Sequence, residues 1–328
     1  MKRASVSSLV LKAISAAVLA VSCGGAFAQG DKPLQLVVGL PAGGTVDIIT
    51  RQIADGLRGR LGRRVLVDNR PGAGGIIAAE RVKNAPPDGT LLLVAPTTAF
   101  SLYPLTVDKL PYKVADFRPV VHIARFEYAL GVGAAVPAHS VSEYVALVKK
   151  DSRYGLYGAP GLGGPPQFYG QIFASKFGLD MTTVPYPGTP PLMQDLQGGQ
   201  TPAAVLPLAE FGKLVASGKA RLIATTGAGR ARDFPDVPTF LESGVPVSEY
   251  GQYAIYAAAG TPAALLEPIA RAVREVLATT PVKARYASMY MEPTGQSGAA
   301  LDKLMADSTA FWTATVRANP SVARAGGK

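Results

Sequence analysis

Histidine and cysteine, with two copies and one, are nearly missing from this sequence. Of its two histidines, His122 sits in the apolar run VVHIAR and His139 in the loop VPAHSV, and both read as structural or exposed positions. There is no G-x-S-x-G turn, no serine three residues ahead of a lysine, no H-E-x-x-H, no P-loop and no spaced series of acids for calcium. A nucleophile needs a base and a metal needs ligands. No catalytic residue, metal site or cofactor is therefore expected.

The main chain offers more. In VVGLPAGGTVDIITR, residues 37–51, an apolar run stops at Pro41, two glycines follow, and an amphipathic stretch begins. Glycine has no Cβ, so PAGGT leaves the backbone open to approach. A helix starting near Thr45 to Asp47 has N–H groups without intrahelical partners, at the positive end of its dipole. That combination can hold an anion with no catalytic side chain. The bland alternative is an ordinary α/β turn in which Asp47 caps its own helix. A similar arrangement recurs at YGAPGLGGPPQ, residues 157–167, running from a strand end into a helix at Gln167. Two such loops, one in each of two lobes, could face each other across a cleft beyond the carboxyl ends of the strands.

The elements that must position these loops follow a strand–turn–helix rhythm. Leu34 to Leu40 reads as a buried strand, and Ile49, Ile53, Leu57 and Leu61 form one stripe of a helix that Gly62 stops. Val65 to Val67 is a second strand, Ile76 to Val82 a helix, and Leu91 to Ala95 a third strand after the turn Pro86-Pro87-Asp88-Gly89. Further on, a helix over Val141–Val148, a strand over Tyr154–Tyr157 and a helix through Phe168, Ile172, Phe173 and Phe177 are expected. Strands follow at Val184, Ala204–Leu206 and Leu222–Thr225, and a helix opens at Thr261-Pro262 with a cap and a first-turn proline. Continuous apolar strands argue for parallel sheets covered on both faces. The whole reads as two α/β lobes.

Composition sets the compartment. Lys2 and Arg3 precede an apolar stretch, Leu9 to Val21, and Ala26-Phe27-Ala28 fits a signal-peptidase site. Cys23 raises lipid attachment as the lesser alternative, because Ala20-Val21-Ser22 lack the leucine three positions upstream. Cleavage after Ala28 takes 28 of the 328 residues and leaves 300, with no cysteine and so no disulfide or cysteine-based zinc site. Losing Lys2, Arg3 and Lys12 takes three charges from the net +10 and leaves +7. The basic residues are scattered rather than clustered with aromatics, which argues against nucleic acid and fits a solvated surface whose field attracts small anions.

Taken in order, LPAGGTVDIITRQIADGL, VDNRPGAGG, PPDGTLLLV, VPYPGTPPLMQDLQGGQ, DVPTFLESG and AAGTP resemble the solute receptors of tripartite tricarboxylate transporters, the Bug family. The resemblance runs from about residue 33 to the C-terminus. It implies a type II-like periplasmic binding protein: two lobes, each a mostly parallel sheet flanked by helices, closing over a ligand. It divides the chain into a signal peptide (1–28), a first lobe (29–131 plus 251–328) and a second lobe (132–250). It also implies a small organic carboxylate as ligand, the membrane subunits of such a transporter as partners, a monomer, and the periplasm as compartment.

Carried onto this chain, the family's site is Leu40, Pro41, Ala42, Gly43, Gly44, Thr45 and Asp47 in the first loop. In the second it is the stretch Ala159 to Gln167, with Ala159, Gly161, Gly163, Gly164 and Gln167. Thr97 and Thr98 match another turn lining the cleft, and Tyr186 a residue near it. The departures lie in the second lobe. Hydroxyls and a histidine of the family's second loop are replaced by Ala159, Pro160, Gly164 and Gln167, a lysine by Pro187, and aspartates by Pro202 and Leu206. These losses lean the ligand towards a monocarboxylate or an aromatic acid, with Tyr157, Phe168 and Tyr169 either walling the site or belonging to the core. A receptor reporting to a membrane kinase would use the same residues. A secreted enzyme would need a reactive side chain in the cleft, and Asp47 is the obvious candidate.

Overall fold

The computed structural model describes residues 32–320, and the expected signal peptide and Cys23 lie outside them. Two sheets form the frame. The first has the order β11-β4-β10-β3-β1-β2 and the second β7-β6-β8-β5-β9. The first is built from β1 (Leu34–Val38), β2 (Val65–Asn69), β3 (Leu91–Pro96), β4 (Phe117–Phe126), β10 (Gly251–Ala258) and β11 (Met291–Glu292). The second is built from β5 (Tyr128–Gly133), β6 (Leu156–Pro160), β7 (Thr182–Tyr186), β8 (Ala203–Pro207) and β9 (Ala220–Thr225). In each sheet four strands share one direction. β10 and β11 in the first sheet and β5 in the second run the other way.

The chain leaves the first sheet after Phe126 and enters the second at Tyr128, with only Glu127 between. The crossing therefore falls before residue 131, where the resemblance set the lobe boundary, because Tyr128–Gly133 pairs with β8 and β9. The return lies between Thr225 and Gly251.

Helices cover the sheets as the rhythm requires. The stripe of α1 (Thr45–Leu61) buries Val46, Ile49, Ile53, Ala54 and Leu57, with Val46, Ile49, Ile53 and Leu57 each contributing roughly 1.5–3 kcal/mol on full burial. Gly62 ends it in the left-handed region, at φ 61°. Two local expectations shift. Tyr154 lies in a 3₁₀ turn, Ser152–Gly155, and the strand begins at Leu156. Thr261 does not cap: α9 (Ala263–Leu277) starts after Pro262 with no side-chain cap bond. The C-terminal helix α11 (Ala299–Ala318) packs on β4 and on α3 (Thr98–Ser101). Its Trp312 is buried against Phe168 and Tyr169 of α6 (Pro165–Phe177), at ring distances of 5.8 and 5.6 Å. One helix thus ties the first sheet to the second.

Candidate functional site

The first loop is held by its neighbours. Gly43 has φ +83°, a conformation open to glycine and strained for other residues. Behind it, a Cβ on Gly39 would sit 2.5 Å from the Gly75 Cα, so NRPGAGG supplies a backbone that packs directly on the turn. Asn69 donates to the Leu40 carbonyl at 3.2 Å and to Asp47 Oδ1 at 3.0 Å. Asp47 also accepts from the Gly43 N–H at 2.8 Å and from Arg51 Nε at 3.0 Å. Its carboxylate is consumed by the loop it was expected to serve as a ligand group. Burial pushes that carboxyl up, but the bonds from Arg51, Gly43 and Asn69 outweigh it and hold it below its ordinary value. Arg51 also offsets the negative charge that Asp47 places in the first turn of α1, where the helix dipole favours it.

With Gly44 extended and no side-chain cap, α1 opens uncapped. Gly44 N–H reaches the Pro41 carbonyl, and Ile48 is the first residue to bond back to Gly44. The N–H groups of Thr45, Val46 and Asp47 have no acceptor among the described residues. Pro41, Ala42, Gly43 and Gly44 are exposed, and Leu40 and Thr45 half-buried. Val46 and Asp47 themselves are buried.

The second loop copies the lock and loses the grip. Gln167, at the third position of α6, accepts from the Gly163 N–H at 2.7 Å, the same four-residue reach that Asp47 makes to Gly43. But Pro165 and Pro166 occupy the first two positions and have no N–H. Gln167 N–H is turned to the Gly164 carbonyl at 3.1 Å, and Gly161 N–H to Tyr186 O at 2.9 Å. Leu162 and Gly164 keep free amides among the described residues. Ala159 is buried in β6, while Gly161 and Leu162 are exposed.

The other expected residues scatter in role. Thr97 is buried, with its N–H on the Gln252 carbonyl at 3.0 Å, and Thr98 opens α3 half-buried. Tyr186 ties its hydroxyl to Asp195, at 2.8 Å, and to Thr201. The aromatic wall is not there: Phe168, Tyr169 and Tyr157 are all 0 % exposed. They are core, with Tyr157 donating to the Gln167 carbonyl.

Among the described residues, two side-chain hydrogen bonds cross between the lobes. Thr106 Oγ1, in α4 (Tyr103–Thr106), donates to the Gly163 carbonyl at 3.3 Å. Thr45 Oγ1 donates to Glu210 Oε1 at 3.2 Å. Glu210 belongs to α8 (Leu208–Ala216), which starts directly after β8. Burial raises its carboxyl above the ordinary range, opposed by the Thr45 bond. Tyr253 lies close enough that its own phenol is raised by burial and then by Glu210. Neither Glu210 nor Tyr253 stood out in the sequence. The available signal was a third strand-to-helix junction, AVLPLAE, with a polar group at the same third helical position as Asp47 and Gln167. A surface recess of about 600 Å³ shares no residue with these loops; Ser140, Val145, Lys149, Phe177 and Pro238 line it. Among the described residues no cluster of His, Cys, Asp and Glu could hold a metal, and no helix is long and apolar enough to cross a membrane.

Two α/β lobes joined by crossing strands, with backbone-lined loops facing across them, define a periplasmic binding protein of the solute-receptor type. The family model described as "Tripartite tricarboxylate transporter family receptor" matches residues 49–319, and the chain belongs to that family. A UPF0065 protein of Bordetella bronchiseptica is 34% identical over 275 residues, 83% of this chain and 82% of that protein. A solved structure of Rhodopseudomonas palustris Rpa4515 with adipate has 28% identity and a TM-score of 0.81, covering 87% of this chain and 96% of that one. The periplasmic binding protein BugD has 26% identity and a TM-score of 0.78, covering 87% and 96%. The family and these neighbours are binding proteins, not enzymes.

Proposed function

We propose that this receptor captures a small organic carboxylate between its lobes, as a single chain in the periplasm, and passes it to the membrane subunits of a tripartite tricarboxylate transporter. The observation that carries the reading is the set of three amides at the start of α1 that have no acceptor among the described residues, in a helix whose first side chain, Thr45, meets Glu210 of the second lobe. Each charge-assisted bond from such a donor is worth roughly 1.5–3 kcal/mol. Three of them, with the dipole, reach micromolar affinity, about 8 kcal/mol. The similarity to an adipate-bound receptor supports the ligand class.

The second loop favours one carboxylate over two. Its prolines remove donors, and Gln167 spends its oxygen on Gly163. Closure follows from the ligand contacting both lobes, since differential contact with the closed state is what shifts the equilibrium. The site in this reading comprises Leu40 to Thr45, Thr98, Gly161, Leu162, Gly164 and Glu210, with Asp47, Gln167 and Thr97 as supports.

Thr45→Pro tests it. Proline is tolerated at the first helical position, so the helix survives while one amide is lost. Calorimetry should show affinity for the best-binding acid of a panel falling about 10- to 100-fold, corresponding to one charge-assisted bond. Thr45→Val, which keeps the amide, should lose far less. Equal binding by Thr45→Pro and the unaltered protein would reject the amide grip.

A further inference from the structure

We propose that Glu210 selects ligands by charge, admitting molecules that carry a cationic amino group beside the carboxylate and turning away the same molecules without it. The inference rests on the reading above and deepens it. Asp47, Gln167 and Glu210 each take the third position of a helix that follows a strand, as does Glu143, which reaches back four residues to the His139 N–H. The first two reach back four residues and lock their own loops. Glu210 does not. Its one hydrogen bond among the described residues comes from Thr45, on the opposite lobe. No Lys, Arg or His forms an ion pair with it among the described residues.

The consequence is electrostatic. Thr45 is the first residue of α1, so a carboxylate seated on the α1 amides lies beside Glu210. Two carboxylates sharing a partly desolvated space repel, and among the described residues no cation acts on Glu210 to relieve them. A ligand whose own ammonium stands next to its carboxylate removes the conflict. The carboxylate takes the amides of Thr45, Val46 and Asp47, and the ammonium takes Glu210 in place of the Thr45 hydroxyl. An α-amino acid has that arrangement, with nitrogen and carboxylate on one carbon. The exposed residues nearest the two loops, Pro41, Ala42 and Leu162, are uncharged, so an uncharged side chain fits the remainder.

The test uses matched pairs that differ only in the amino group: L-alanine and propanoate, L-leucine and 4-methylpentanoate, L-phenylalanine and 3-phenylpropanoate. Each is titrated calorimetrically at neutral pH into the mature receptor and into Glu210→Gln and Glu210→Ala, with melting curves confirming that each variant is folded. The unaltered receptor should bind at least one amino acid tenfold or more tighter than its partner acid. Both variants should bring that ratio below about threefold, by weakening the amino acid and strengthening the plain acid. Plain acids binding as tightly as amino acids to the unaltered receptor, or a ratio that survives in both variants, overturns the role of Glu210 and leaves the carboxylate reading standing. Failure of every compound with all three proteins overturns the α1 grip itself.

Discussion

Asp47 and Gln167 hold equivalent places in their helices and do the same mechanical work, yet one is charged and one is not. Asp47 is 3 % exposed and surrounded by donors. Asp47→Ala strands those donors and should cost about 1.5–3 kcal/mol in urea unfolding, while Asp47→Asn, which keeps an acceptor for Gly43, should cost less. The sign of the pH effect follows from its lowered folded value. Its contribution is complete at neutral pH and is lost only as pH falls through that value, below about 4. At this scale the sequence disclosed the open amides, because glycines before an amphipathic stretch signal them directly. It did not disclose Glu210. An acid in the first turn of a helix reads as a dipole-friendly surface group, and only the approach of the other lobe makes it a cleft residue.

Among elements, β4 and the first turn carry the sharpest expectations. His122 on β4 is 1 % exposed; burial, helped by the charge of Arg125, pulls its imidazole from 6.5 down to about 4. Its Nδ1 meets Thr294 Oγ1 at 2.8 Å, and Nε2 has no partner among the described residues. The unfolded chain therefore takes up a proton that the folded one refuses. Stability should fall as pH drops from about 6.5 to about 4, by at most about 3 kcal/mol, and His122→Gln should flatten that slope in pH-dependent melting. Gly39→Ala would drive a Cβ onto the Gly75 Cα, and overpacking of this kind costs about 1–3 kcal/mol, readable in urea. The α/β alternation was legible because buried parallel strands and striped helices have distinct periods. Strand direction was not: nothing in the apolar runs of β5 and β10 marks them as antiparallel. Tyr154 misled for a related reason, since its ring suits a strand while its carbonyl serves Tyr144 from a turn.

For the whole molecule, the described residues of the two lobes meet at few polar points, at the aromatic joint around Trp312 and at the ring pair Phe234–Tyr290. The two side-chain bonds, Thr45 to Glu210 and Thr106 to Gly163, are modest and reversible, as a trap requires. The joint is larger. Trp312→Ala leaves a void against Phe168 and Tyr169 and should cost about 3–5 kcal/mol in denaturant. The resemblance to known receptors made the two-lobed plan legible at once. The second loop's lost donors were legible too; of the two readings left open for Tyr157, Phe168 and Tyr169, wall or core, the structure gives core. Phe168 and Tyr169 face α11, and the helix that claims them lies more than a hundred residues downstream.

The composition gives that joint a further use. Trp312 is the chain's single tryptophan, fully enclosed where α11 meets the second lobe. Emission from the unlabelled protein therefore comes from one indole whose surroundings change if the lobes swing apart. A stopped-flow trace of that signal would time the opening and shutting of the trap directly. A spectrum that stays fixed while calorimetry registers binding would place the pivot at the indole itself, with the motion confined to the far rim.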